Sequence, residues 1–525
     1  LKNYIQMKNI KININNKKFS WSASFKASLM LLMMLGLSYS CADLDEVPFS
    51  ELSPDNHFQN RANLESSVTG MYDAFYSDRE FFFLLYPACT GPSPISKTRF
   101  PANENNTGVY TYMTFNSTTN FSKRLWVQGY SAILNANTIM ENANRATDLS
   151  EDEIETYIAE ARWVRAFTYF WMVRFLGDVP LHINTADSFS TSNISLPRSP
   201  ATEVYDQIIE DLLYAEAENR LPLTRPGAEN SRPTIGSAKA LLGEVYLQMA
   251  GLPLQQTENY QKAADKLLEV VQQDTYKLEE NFTDIFDVDN EFNAEIITGF
   301  SFPQVNDFQN LYGWALSAPG FTDFGGFMQW GFTKDFYDSF NANDTRRDVS
   351  AVFSYTHATT GEEIVWGDAS TYTEKRGPDP AVYDATTGMG TAKYRTLAGN
   401  RPILNESDVI FTRYADVLLM LAEANIGAGN SGGALPYINE VRQRAGIPDL
   451  ASVTLDDVKQ ERLWELSGEF QEYPDLQRWG DLETAIMEGE QSSQTGYDPK
   501  FELWPIHVDI LNGNTNLDQN LGWEQ

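Results

Sequence analysis

The chain has 525 residues, with 72 Asp and Glu against 39 Lys and Arg, for a formal net charge of −33. So acidic a chain repels phosphate backbones and anionic lipid, which excludes nucleic acid and charged lipid surfaces as natural partners. Two cysteines and four scattered histidines leave no disulfide framework and no metal site of ordinary ligand spacing.

Residues 1–40 read as a targeting segment. Six lysines without an acid precede the apolar run Ala27–Leu37, which is too short to cross a bilayer, and Ser38-Tyr39-Ser40 then lead to Cys41. A cysteine directly after such a cleavage site predicts a lipoprotein signal peptide over 1–40 and lipidation of Cys41. The expected anchor is the outer membrane, with the acids Asp43, Asp45 and Glu46 resembling a surface-export signal and residues 41–56 as tether. Removal of 1–40 leaves 33 basic residues against 72 acidic ones.

Helical patterns dominate from there. Helices are expected over 57–76, 121–146, 150–176, 199–218, 235–250, 258–273, 409–427, 432–445 and 455–470. The clearest is 150–176. Ser150 and Glu153 have capping-box spacing, Ile154, Tyr157, Ile158, Ala161, Val164, Phe167, Trp171 and Phe175 recur at three- and four-residue steps, and Gly177 and Pro180 end it. Leu421, Ala422, Asn425, Ala434, Ile438 and Val441 fall on the small and large positions of a tetratricopeptide helix pair, and 236–271 fits a similar pair.

Two stretches differ in character. Residues 78–120 and 276–408 are rich in Gly, Asn, Pro and aromatics, with strand-like runs such as Glu295–Phe302. The expected fold is mainly α: a single domain over 57–525, with a tetratricopeptide-like helical frame mainly at 121–275 and 409–480. The two irregular, short-stranded insertions, too long for plain connections, carry the ligand face.

Several blocks make a family resemblance specific. They are residues 159–181 (AEARWVRAFTYFWMVRFLGDVPL), Phe411–Leu419 leading into Ala422-Glu423-Ala424, Ile438–Gly446, Glu461–Leu466, Asp475–Gly480 and Asn516–Trp523. In this order they resemble the RagB/SusD family of outer-membrane nutrient-binding lipoproteins across nearly the whole chain. Pro505-Ile506-His507 and Phe470–Pro474 depart from the family pattern. The resemblance implies about four helical pairs, no catalysis, and a lid on a SusC-like TonB-dependent transporter that captures glycan for import. Peptide capture, as in the RagB branch, and a ligand-free assembly scaffold are the alternatives it leaves open.

A glycan presents hydroxyls and flat apolar ring faces, which Trp and Tyr rings stack on and Asn, Asp and Arg bond. The candidate platform is Tyr312, Trp314, Phe321, Phe324, Phe327, Trp330 and Trp366, joined from the first insertion by Tyr86, Tyr110, Arg99 and Asn103, with Phe100 nearby. Core packing is the competing role for every one of these rings. Trp163, Trp171, Trp464 and Trp479 lie in helical or family-signature contexts and are expected in the core.

Arg413 with Asp416, and Arg478 with Asp475, read as fold-holding pairs rather than catalytic ones. No nucleophile elbow, zinc motif or phosphate loop occurs, so no catalytic residue and no organic cofactor is assigned. Asp287 and Asp289, in an acidic loop with Asp284, Asn290 and Glu291, are a candidate calcium site, although the loop lacks the turn glycine of an EF-hand.

Overall fold

A computed structural model describes residues 57–524, except 77–79, 105–106, 187–194, 303–310, 322–325, 369, 372, 377–378, 384–386 and 395–406. The expected signal segment 1–40, Cys41, the expected tether and Phe324 lie outside the described residues. Residues Pro54–Gln525 form one compact unit.

Helices α1 (Arg61–Tyr76), α2 (Glu80–Thr90), α3 (Asn120–Asn142), α4 (Glu151–Leu176), α5 (Ala201–Ala215), α6 (Ile235–Ala250) and α7 (Asn259–Gln272) fill the first half. Apart from α2, each packs on the next: α1 on α3, α3 on α4, α4 on α5, α5 on α6 and α6 on α7. After the irregular region the series resumes on α7 with α8 (Tyr414–Gly427), followed by α9 (Ser431–Arg444), α10 (Leu455–Leu466) and α11 (Glu472–Trp479). This neighbour-on-neighbour stacking is the helical-pair frame the sequence predicts.

Local chemistry explains the joints. Ser150 Oγ accepts the Glu153 amide at 3.3 Å while Glu153 Oε2 accepts the Ser150 amide at 2.9 Å, closing the capping box that starts α4. The helix stops at Gly177, whose φ of +69° suits glycine. In α6, a Cβ at Gly243 would lie 2.6 Å from the Leu267 side chain, so a glycine there lets α6 and α7 close on each other.

Four two-stranded antiparallel ribbons make up the described sheet structure: β1 (Ser96–Thr98) with β3 (Trp330–Phe332), β2 (Ile296–Phe300) with β8 (Val409–Arg413), β4 (Ser354–Thr356) with β5 (Glu363–Val365), and β6 (Thr373–Arg376) with β7 (Asp379–Val382). The β2–β8 ribbon pairs Phe300 with Val409 and Ile296 with Arg413. It lies over α4, where Phe411 meets the Phe167 ring edge-to-face at 5.3 Å and Phe300 meets Phe411 at 5.6 Å. The main apolar core sits at this junction.

Two expectations need correction. Residues 409–413 are strand, not the first turn of a helix, because pairing with β2 satisfies their backbone and Tyr414 begins α8. Residues 80–90 form a helix inside the first insertion. Every residue from Phe81 to Thr90 is buried, so α2 has no polar face and shows no helical period.

Buried charges fasten the irregular region to the frame. Arg413, fully buried, donates Nε to Glu469 at 2.7 Å and Nη1 to Glu295 at 2.6 Å, and it also contacts Glu465. Arg346 joins Asp344 at 2.7 Å to Glu461 at 2.7 Å and Glu465 at 2.8 Å. Lys393 donates to Glu469 at 2.7 Å; burial pulls its ammonium down to about 8 against the pull of that carboxylate. Arg413 is therefore not the partner of Asp416, which instead accepts from Arg462 at 2.7 Å. Arg478 does bind Asp475 at 2.7 Å, and Glu423 as well at 2.8 Å.

Candidate functional site

The β1–β3 ribbon builds the site. Its register sets Thr98 against Trp330, so the residues just beyond β1, Arg99 and Phe100, come alongside the segment that enters β3. Thr98 Oγ1 donates to the Gln329 carbonyl at 2.9 Å and fixes this approach. On the other side runs a short helix, Tyr312–Leu316. The Phe327 amide donates to the Trp314 carbonyl at 2.9 Å, and the Gln329 amide to the Ala315 carbonyl at 2.6 Å.

These constraints assemble a stack of rings. Trp314 and Phe327 lie 4.5 Å apart and 13° from parallel, and Phe100 stacks on Phe327 at 5.7 Å and 29°. The Arg99 guanidinium carbon sits 4.5 Å from the Phe327 centroid and 5.1 Å from that of Phe100. Phe327 is thus held between Trp314 and the Arg99–Phe100 pair. Trp314, Phe327, Phe100 and Arg99 are all half-buried, and Asn103 is exposed on the following turn. Phe327 backs the group; Trp314, at its end, has no second ring stacked on it among the described residues.

Glycine makes the turn possible. A Cβ on Gly326 would fall 2.2 Å from the carbonyl oxygens of both Ser317 and Ala318. The polar floor comes from Gln491, which accepts the Thr98 amide at 2.8 Å and donates to the Thr98 carbonyl at 2.6 Å. Lys97 beside it pairs with Glu490 at 2.6 Å.

Five expected platform residues are core instead. Trp330 is 1 % exposed, donates its indole N–H to the Thr107 carbonyl at 3.1 Å, and packs on Phe83 at 5.0 Å. Tyr312 stacks on Phe470 at 5.3 Å and donates to the Gly468 carbonyl. Tyr86 packs between Tyr312 and Trp330, Tyr110 lies on Trp504 at 5.6 Å, and buried Phe321 meets Tyr355 at 5.1 Å. Neighbouring rings take the faces a ligand would need.

Trp366 stands apart from the stack. It is half-buried beside Phe353 at 6.3 Å, with its indole N–H on the Thr387 carbonyl at 3.2 Å. Of the tryptophans expected in the core, Trp163 and Trp171 are buried, while Trp464 and Trp479 are half-buried. Asp287 Oδ1 accepts the Asp289 amide at 3.0 Å in a local turn. Among the described residues no group of three or more acid, histidine or cysteine side chains is placed to hold a metal.

The half-exposed ring stack, beside short strands on a helical repeat frame, is a candidate ligand surface. Residues 329–523 match the model of the SusD family, and residues 44–247 match a model described as starch-binding associating with outer membrane. The chain belongs to the SusD/RagB family, whose members bind rather than catalyse. It is 26% identical to SusD-like protein P2 of Formosa agariphila over 94% of this chain and 99% of that one. Identity to the starch-binding protein SusD of Bacteroides thetaiotaomicron is 25%, over 70% of this chain and 72% of that one. The crystal structure of a SusD homolog from Bacteroides thetaiotaomicron superposes with a TM-score of 0.76 at 23% identity, covering 90% of this chain and 98% of that one.

Proposed function

We propose that the protein captures a neutral glycan on the Trp314 stack and passes it to a SusC-like TonB-dependent transporter, while a lipid on Cys41 holds it at the outer membrane, facing outside. The observation that carries the ligand is the half-buried Trp314–Phe327–Phe100 group with Arg99 and Asn103 beside it. A rigid, backed ring offers apolar area at little entropic cost, and the adjacent amide and guanidinium supply bonds to hydroxyls. The named starch binding of one relative supports the same ligand class. The net charge of −33 disfavours polyanionic chains.

The test is migration of the mature protein through native gels containing neutral polysaccharides. Retardation by at least one of them, lost in Trp314→Ala, is the expected result; equal retardation of both proteins overturns the site. For the anchor, Cys41→Ala is expected to move the protein from the membrane fraction to the soluble one. Copurification of a TonB-dependent transporter with the tagged wild type tests the partner.

A further inference from the structure

A cleft enclosing about 620 Å³ opens between α1, the segment leading into α6, and strand β2. That is the size of a small-molecule site, and the cleft shares no residue with the Trp314 stack. Its walls include the half-buried rings of Tyr72 and Tyr76 and the buried ring of Trp163. Trp163 stacks on Phe167 at 5.2 Å, and its indole N–H has no acceptor among the described residues.

The wall is pre-set by buried ionic bonds. Tyr72 donates to Glu160 at 2.8 Å, and Arg232 donates to the same carboxylate at 2.6 Å and to Glu65 at 3.2 Å. Arg225 adds a third cationic contact to Glu160 at 3.2 Å. The two arginines are shared among Glu65, Glu160 and Glu229, and with Asp73 and Glu291 also on its wall the cleft is net acidic. What stays open is a different set: the Asp73 carboxylate, the Asn230 amide and the Ser231 hydroxyl have no side-chain partner among the described residues. The half-buried Tyr72 and Tyr76, beside a carboxylate, an amide and a hydroxyl left unspent, give the apolar edge and the polar groups that engage the vicinal hydroxyls of a sugar, with buried Trp163 as the floor behind them.

We infer that this cleft is a second sugar-binding site, so that one molecule grips a polysaccharide chain at two points. The inference rests on the glycan reading above but not on the Trp314 stack. Two linked sites multiply the affinity for a long chain without strengthening either contact.

The probes are starch, laminarin, xylan and mannan in affinity gels, with linear hexasaccharides of the same sugars titrated in solution. The variants are Asp73→Ala/Asn230→Ala and, as a steric plug, Ser231→Trp, each with its melting temperature checked against wild type. On the retained polysaccharide, each cleft variant is expected to weaken binding by roughly 100-fold. The hexasaccharide stoichiometry is expected to fall from two to one. Cleft variants that match wild type while Trp314→Ala loses retention overturn the cleft and leave the glycan reading standing. Cleft variants that lose retention while Trp314→Ala does not support the cleft and overturn the stack. A wild type that binds none of the probes overturns both.

Discussion

The Trp314 and Phe327 rings lie 4.5 Å apart, and the Phe327 amide donates to the Trp314 carbonyl at 2.9 Å, so side chain and main chain lock the same two residues together. Their roles still differ, because among the described residues Phe327 has ring or guanidinium partners from Trp314, Phe100 and Arg99, while Trp314 has Phe327 alone as a ring partner. Trp314→Ala should weaken glycan binding by about 2 kcal/mol, roughly 30-fold, with little change in melting temperature. Phe327→Ala should weaken binding too, since Trp314 loses its backing, and should also cost about 1 kcal/mol of stability through the lost ring pair. Calorimetric titration and thermal unfolding of the two variants separate contact from support.

Arg413 bridges three buried carboxylates, those of Glu295, Glu465 and Glu469, and also donates to the Glu465 carbonyl at 2.7 Å. Removing it leaves acids inside the molecule with less compensation. Arg413→Ala should lose about 3–5 kcal/mol in urea unfolding or fail to fold. Arg413→Lys should recover less than half of that, because one ammonium does not reproduce a five-donor fork. An unfolding midpoint like that of wild type in the lysine variant would show that charge alone suffices.

Stability should peak in mildly acidic solution. Burial pushes the Asp408 carboxyl up to about 8, with Glu291 adding repulsion, and pushes Glu472 and Glu244 up to about 7. These folded values lie above the unfolded ones near 4, so the native state holds extra protons between about pH 4 and pH 8, and stability falls as pH rises through that window. Glu465, Glu469 and Asp475 run the other way. Burial would raise them, but Arg444 and Arg413 at Glu465, Arg413 and Lys393 at Glu469, and Arg462 and Arg478 at Asp475 hold them below the usual range. Their contribution is lost as pH falls below about 4. Melting temperatures should decline from pH 4 to pH 8, above which buried Lys393 works the other way, and Asp408→Asn with Glu472→Gln should flatten that decline.

The helical frame was legible in the sequence because its signals are local. A capping box at Ser150 and Glu153 and small residues such as Ala422 and Ala434 act within a few residues of themselves. The site was legible only in composition. Trp330 and Trp314 sit in one glycine-rich aromatic stretch, and what separates them is distant: Trp330 turns inward onto the Thr107 carbonyl, 223 residues away in sequence. Val409–Arg413 reads as helix in the sequence for the same reason. Its apolar run continues into α8, and only pairing with β2, more than 100 residues earlier, makes it strand. The cleft residues Tyr72, Tyr76 and Asp73 gave no signal, since on an amphipathic helix they look like any border between core and solvent.

Gly326 shows how the turn controls the stack. With two carbonyl oxygens 2.2 Å from where a Cβ would stand, Gly326→Ala must push the 326–329 segment off the Tyr312–Leu316 helix, against the backbone bonds from Phe327 and Gln329. The expected cost is about 1–3 kcal/mol, as for other overpacked sites. The same shift should separate Phe327 from Trp314 and weaken glycan binding as much as Phe327→Ala does. Gly361→Ala is the control: its φ of +73° makes alanine strained, but no atom stands within 4 Å. It should lose about 1 kcal/mol of stability and no affinity. If Gly326→Ala behaved like this control, destabilised but binding normally, the stack would not depend on the turn, and Trp314 would have to hold its position without Phe327.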